Sequence, residues 1–199
     1  MAQMGRPRQF DRDTALTKAM HLFWQNGFEA TSLSQLKAAI GISAPSFYAA
    51  FGSKEALFQE TVALYLKSHG TVMDHLWDTQ LPPRVAIELA LRASARMQGE
   101  TGHPTGCMVA LGVTSAGVVE NAAVTAALTA ARARNRDGIL ACVQRGVARQ
   151  ELDAATDVIA LASVFESFLL GLSTLARDGA TQEAMDRAVT QILRLWEIK

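Results

Sequence analysis

An all-α fold follows from three features of this 199-residue sequence. Alanine and leucine dominate its apolar residues, while prolines and aromatics are few, a balance that favours helix over strand. Apolar residues recur at three- and four-residue spacing through most of the chain. No Val/Ile/Thr stretch alternates between turn residues, so no sheet is predicted.

The elements follow in order. MAQMGRPRQF reads as an arm, because Gly5 and Pro7 forbid a helix, and Arg6 and Arg8 flank the proline. A helix is predicted from Asp11 to Gly27, with Leu16, Ala19, Met20 and Phe23 as its apolar stripe and Gly27 as its stop. The stretch SLSQLKAAIGISAPSFYAAFGSKEALF then carries three breakers, Gly41, Pro45 and Gly52. Ser32 and Gln35 fit a capping box that opens a short helix bearing Leu33, Leu36 and Ile40. Ser43 caps a second short helix, with Pro45 in its first turn and Phe47 and Phe51 on one side. Ser53 caps a third, with Glu55 favourably placed against its dipole.

Helices of about two turns do not persist alone. Packed through Leu33, Leu36, Ile40, Phe47 and Phe51, the first two form a helix-turn-helix. Ser43, Ala44, Ser46 and Tyr48 then face outward. Small outward groups admit close approach, and the DNA major groove is the surface this geometry fits. Further breaks at Leu81–Pro83, 99–106, Gly117, 151–153 and Asp178–Gly179 give about nine helices in all.

The 19 basic and 19 acidic residues cancel. Up to Lys54, however, six cations (Arg6, Arg8, Arg12, Lys18, Lys37, Lys54) meet three anions (Asp11, Asp13, Glu29), so this head is +3 and the remainder −3. That asymmetry permits nucleic-acid contact without requiring it. The N-terminus shows no basic-then-apolar leader. Cys107 and Cys142 make no disulfide framework, and a cytoplasmic location is expected. VIALASVFESFLLGLSTLA, Val158 to Ala176, approaches the length of a membrane span. Glu166 lies near its middle and no basic cluster flanks it, so a buried or oligomer-forming helix is expected and no membrane partner.

These residues suggest a family. The head resembles the DNA-binding domain of TetR/AcrR-type transcriptional regulators in GRPRQFD, ALTKAMHLFWQNGFEATSL and AAIGISAPSFYAAFGSKEALF, most specifically in SFY…FGSKEALF. GLSTLARDGATQEAMDRAV resembles the last two helices of that family, and GCMVALG, Gly106 to Gly112, resembles one subgroup. The resemblance implies a homodimer with a three-helix DNA-binding head at 6–66 and a helical effector-binding and dimerisation domain at 67–199. It implies that Ser43, Ala44, Pro45, Ser46 and Tyr48 lie on the recognition helix. Tyr48 and Lys54 would contact phosphates, Thr31 and Ser32 would meet the DNA backbone, and Arg6 and Arg8 would reach the minor groove. The function implied is a repressor that leaves its palindromic double-stranded operator when it binds a small effector. One position departs from the usual pattern: Lys37 stands where such units carry a small residue, and its stem can lie along the helix crossing with the ammonium in solvent.

Cys107 follows the loop GETGHPTG and reads as the opening of a helix, where a thiolate is favoured. It is a candidate sensor for electrophiles or oxidants, the alternative being a small buried apolar residue. His103 and Cys107, with His69 or His75, form a weak metal-ligand set, because Pro104 and Gly106 break the helical register; no metal and no cofactor are expected. Trp77, Met97, Cys107, Met108, Phe165 and Phe168 are candidates for the effector pocket. Leu161, Phe165, Leu169 and Leu172, with Met185, Val189, Ile192 and Trp196, form two stripes suited to a four-helix dimer interface. No nucleophile elbow, HExxH, P-loop or GxGxxG occurs, so an enzyme is not expected. The rival reading is a helical enzyme or protein-interaction module built on the C-terminal domain.

Overall fold

The computed structural model describes residues 11–112 and 122–197. These residues form nine α-helices and no strand: α1 (Arg12–Asn26), α2 (Leu33–Ile40), α3 (Ala44–Phe51), α4 (Lys54–Ser68), α5 (Pro83–Gly99), α6 (Met108–Leu111), α7 (Ala122–Ala148), α8 (Val158–Arg177) and α9 (Gln182–Ile192). A 3-10 segment, Gly70–Trp77, joins α4 to α5, and another, Leu193–Trp196, follows α9. The predicted break near Gly117 and the arm with Arg6 and Arg8 lie outside the described residues.

The caps explain the starts. The Asp11 carboxylate accepts from the backbone N–H of Asp13 and Thr14, and from the Thr14 hydroxyl at 2.6 Å. The Thr14 bonds hold its pKa below the ordinary 3.8. Ser32 and Gln35 close the predicted capping box in both directions, at 2.7 and 3.2 Å. Ser43, Ser53, Asp157 and Thr181 cap α3, α4, α8 and α9 by accepting first-turn backbone N–H groups. Gly41 ends α2 at φ +83°, a left-handed turn that an L side chain rarely adopts.

Two elements differ from expectation. The helix opened by Ser53 stops at Ser68, short of the break at Leu81; the Ser68 hydroxyl donates back to the Leu64 carbonyl at 2.8 Å and Gly70 follows. Cys107 opens a helix of only four residues, and its side chain makes no capping bond. So short a turn has little macrodipole to stabilise a thiolate.

The core begins in the head. α1 packs on α4, where the Phe58 ring lies edge-on to Phe23 at 5.0 Å and meets Phe28 at 5.1 Å. Through Trp24 and Tyr65 the same cluster continues into Met97, Met108, Val124 and Leu128. A second core, between α5, α7, α8 and α9, gathers Ile87, Leu91, Val143, Phe165, Val189 and Trp196.

Packing within the subunit takes most of the predicted dimer stripes out of an interface. Phe165, Leu169, Leu172, Met185, Val189 and Trp196 are buried within one subunit, and Leu161 and Ile192 are half-buried against it. α8 carries apolar residues around most of its circumference, and few polar residues, Ser163, Ser167 and Thr174 among them, mark its outward side, so periodicity separates its faces poorly. Ile159, Val164, Leu170 and Leu175 face outward, Ile159 with 68% of its surface exposed.

Candidate DNA-reading helix and effector cavity

α3 hangs on two rings. Phe47 and Phe51 are buried, so the opposite face of the helix points away from the protein. That face carries Pro45, Ser46 and Tyr48, the last 52% exposed, with Ala44 half-exposed. The Ser43 and Ser46 hydroxyls lie 2.9 Å apart, and Ser43 Oγ also accepts the Ser46 N–H. The result is a short surface of hydroxyls and methyls with one phenol.

The flanking residues divide. Ser32 is exposed at the start of α2. Thr31 is not: it is buried, and its hydroxyl donates to the Gly27 carbonyl at 2.7 Å. Thr31 closes the α1–α2 turn, and the predicted contact with the DNA backbone is withdrawn for it. The Lys54 ammonium lies over the Phe28 ring, 4.2 Å from its centroid. Burial lowers the Lys54 pKa, with Glu29 and Glu55 opposing. Lys37 is half-buried, as its stem requires. Arg12 bonds Glu60 at 2.7 Å and lies over Phe51, joining the start of α1 to α3 and α4.

A cavity of about 320 Å3 opens in the body, walled by α4, α5, α7, α8, the 3-10 segment and the turn from Cys107 to Ala110. Two of the six predicted pocket residues, Met97 and Cys107, line it. Trp77 is instead at the surface under the Arg134 guanidinium. Met108 and Phe165 are fully buried outside the wall, and Phe168 packs between core clusters. Bulk in the sequence thus marks core here, not pocket.

The wall includes residues that sequence reasoning missed: Tyr65, Ser94, Gln98 and Ser173. The signal for two of them was present. Ser94 and Gln98 sit one turn apart on the stripe that Leu91 and Ala95 bury, and a polar pair on a buried stripe is unusual. The Tyr65 hydroxyl donates to Cys107 Sγ at 3.2 Å. Burial, and then Cys107, push the Tyr65 pKa well above its ordinary 10.0, so the phenol keeps its proton for that bond. Among the described residues no cluster of His, Cys, Asp and Glu suits a metal ion.

The loop before Cys107 is tied to the head. The Trp24 indole N–H donates to the Gly106 carbonyl at 3.1 Å. Arg177, at the end of α8, donates to the Trp24 carbonyl at 2.6 Å. His103 stacks on the Trp24 indole at 4.6 Å, and His69 meets it edge-on at 5.0 Å. Gly106 has φ +83°, and a Cβ there would lie 3.1 Å from the Ser173 carbonyl and 2.7 Å from Leu111. Only a glycine lets the loop press between α1 and α8 at this point.

The comparisons with known proteins agree with this architecture. The family model for bacterial regulatory proteins of the tetR family matches residues 15–61, and that for the tetracyclin repressor-like C-terminal domain matches residues 87–192. The HTH-type transcriptional repressor ComR of Escherichia coli (strain K12) is 33% identical over 96% of this chain and 91% of its own length. A cysteine mutant of the TetR family regulator CifR, solved with 26-base-pair double-strand operator DNA, superposes with a TM-score of 0.85 at 40% identity, covering 96% of this chain and all of that one. A putative TetR regulator from Rhodococcus sp. RHA1 is 32% identical with a TM-score of 0.60, over 91% and 96% of the two chains. With the helix-turn-helix, the buried rings behind α3 and the helical body all in place, the chain belongs to the TetR family and is a DNA-binding transcriptional regulator.

Proposed function

We propose that this regulator is a repressor that binds a palindromic operator as a homodimer and leaves it when the cavity is filled or Cys107 is modified. One observation carries the release step: Cys107 lines the cavity while the carbonyl of the adjacent Gly106 holds Trp24 of the head. A group that displaces Cys107 moves Gly106, and α1 follows through the indole. The effector needs only to favour the conformation with the wider-spaced heads.

On this reading residues 6–66 form the head and 67–199 the effector and dimer domain, in a cytoplasmic protein. Ser43, Ala44, Pro45, Ser46 and Tyr48 meet DNA from α3, and Ser32, Lys54, Arg6 and Arg8 support them. The two recognition helices enter successive major grooves, about 34–36 Å apart. The outward face of α8, with Ile159, Val164, Leu170 and Leu175, joins the subunits. The repressor ComR and the operator-bound CifR support this reading as relatives.

The test is a footprint on the DNA upstream of this protein's own gene, with and without a thiol-reactive agent. Salt-dependent protection of a near-palindrome, reversed by the agent in wild type and not in Cys107→Ser, is expected. Equal reversal in both removes Cys107 as a trigger. No protection there, or on selected random DNA, removes the operator reading. A monomer by light scattering at micromolar concentration removes the dimer.

A further inference from the structure

We propose that the cavity takes a neutral, mainly apolar molecule that donates one hydrogen bond, from a hydroxyl or amide N–H, to the side-chain carbonyl of Gln98. This rests on the reading of the cavity as the effector site. Gln98 is fully buried in α5 and lines the cavity. Its amide N–H donates to Ser94 Oγ, one turn earlier, at 2.8 Å. With the amide in this orientation, Oε1 is the unused atom. Gln98 Oε1 has no hydrogen-bond partner, and neither has Ser173 Oγ, buried on α8 in the same wall. A buried acceptor without a donor destabilises the empty state, and a donor that arrives with a ligand removes that strain.

The rest of the wall decides the charge. Asp74 is paired with Arg134 at 2.9 Å, and Glu166 faces Arg136 at 3.8 Å. Arg132 donates to the Val109 carbonyl at 2.8 Å. Both carboxylates are thus paired with arginines, and Arg132 turns N–H groups to the Val109 carbonyl and, at 3.1 Å, to the Thr129 hydroxyl, so a neutral ligand suits the wall better than a charged one. Met73, Met97, Val109 and Leu169 supply apolar surface for the body of the molecule. The cavity, at about 320 Å3, suits a single substituted ring.

The experiment compares three probes of similar size on the full-length protein: hydrocinnamyl alcohol, which donates and accepts; benzylacetone, which only accepts; and butylbenzene, which does neither. Calorimetry gives each Kd, and slowed alkylation of Cys107 by N-ethylmaleimide reports that the probe occupies this cavity. In wild type the alcohol should bind about tenfold tighter than benzylacetone. In Gln98→Met, which keeps length and shape, the ratio of alcohol to butylbenzene affinity should fall about tenfold. The wild-type comparison stands even where the variant does not fold. Probes that all shield Cys107 with unchanged ratios overturn the assignment to Gln98 and leave the cavity as the effector site. Tighter binding of benzylacetone overturns it in favour of an amide N–H facing the ligand. Probes that neither bind nor slow alkylation remove the cavity reading and this proposal together.

Discussion

The head and the body of this protein are filled differently. Around Phe58 the head closes ring on ring, with Phe23 at 5.0 Å and Phe28 at 5.1 Å. Around Met97 and Gln98 the body leaves a cavity of about 320 Å3, with two buried polar atoms unpartnered in its wall. Close packing holds one shape and transmits displacement; a void tolerates several shapes. The contrast assigns rigidity to the part that must match a DNA groove and compliance to the part that must respond. Trp24 stands between them, in the same core cluster as Phe58 and hydrogen-bonded to the loop of Cys107.

Truncations on the two sides give the largest effects. Phe58→Ala should cost about 3–5 kcal/mol in urea unfolding, because the Phe23 and Phe28 rings lose their common partner. Met97→Ala, beside the existing void, should cost about 2 kcal/mol, the low end for such a change. Equal costs would break the comparison. Trp24→Phe comes next. It leaves the buried Gly106 carbonyl without its donor and should cost about 1–3 kcal/mol. Operator affinity without effector should change little, while the response to effector should fall. A variant that is destabilised but responds normally would show that the indole bond is structural and not the route of coupling.

How much of this was legible in the sequence follows the same division. The head was legible because its signals are local. Ser32–Gln35, Ser43–Pro45 and Gly41 each fix a helix end within four residues, and Phe47 and Phe51 fix the buried face. Thr31 was misassigned because its partner, the Gly27 carbonyl, belongs to a turn whose shape no local pattern encodes. The body was legible only in outline. The count of about nine helices for the whole chain came from breakers, but the inward face of α8 depends on where α5, α7 and α9 lie. Phe165 and Trp196 look identical as core and as interface until that packing is known. The cavity was the least legible part, since it is defined by absent atoms. Gln98 and Ser94 marked it more faithfully than Trp77 did.

Filling the void sharpens the comparison further. Ala131 lines the cavity on α7. Ala131→Leu should be tolerated or stabilise by about 1 kcal/mol in urea, as cavity-filling changes do. It should also abolish effector release while operator binding persists. The same small-to-large change at Ala19, fully buried in the head, should destabilise by about 1–3 kcal/mol, since no space receives it. A destabilising Ala131→Leu would mean that the cavity wall is as stiff as the head.

The junction gives the smallest effect, and it depends on pH. Burial lowers the pKa of His21 and His69 from the ordinary 6.5; His103 adds to this for both, and His21 for His69, while Glu100 opposes at His69. Folding therefore favours the neutral rings. The stability they contribute is fully present above pH 6.5 and is lost as pH falls below it, through the depressed folded values. His69 stacks on Tyr65 at 5.5 Å and meets Trp24 and His103 at 5.0 and 4.8 Å. Its protonation thus places a cation among the rings that tie the head to the Cys107 loop. Arg177, bonded to Trp24 and within reach of the Thr105 carbonyl, adds a fixed positive charge at the same junction. The urea midpoint should fall between about pH 7.5 and about pH 5.5, and His69→Phe, which keeps a ring and loses the proton, should flatten that slope. A slope unchanged in His69→Phe would move the acid sensitivity away from the junction, and the head and body would then be joined as firmly in acid as at neutrality.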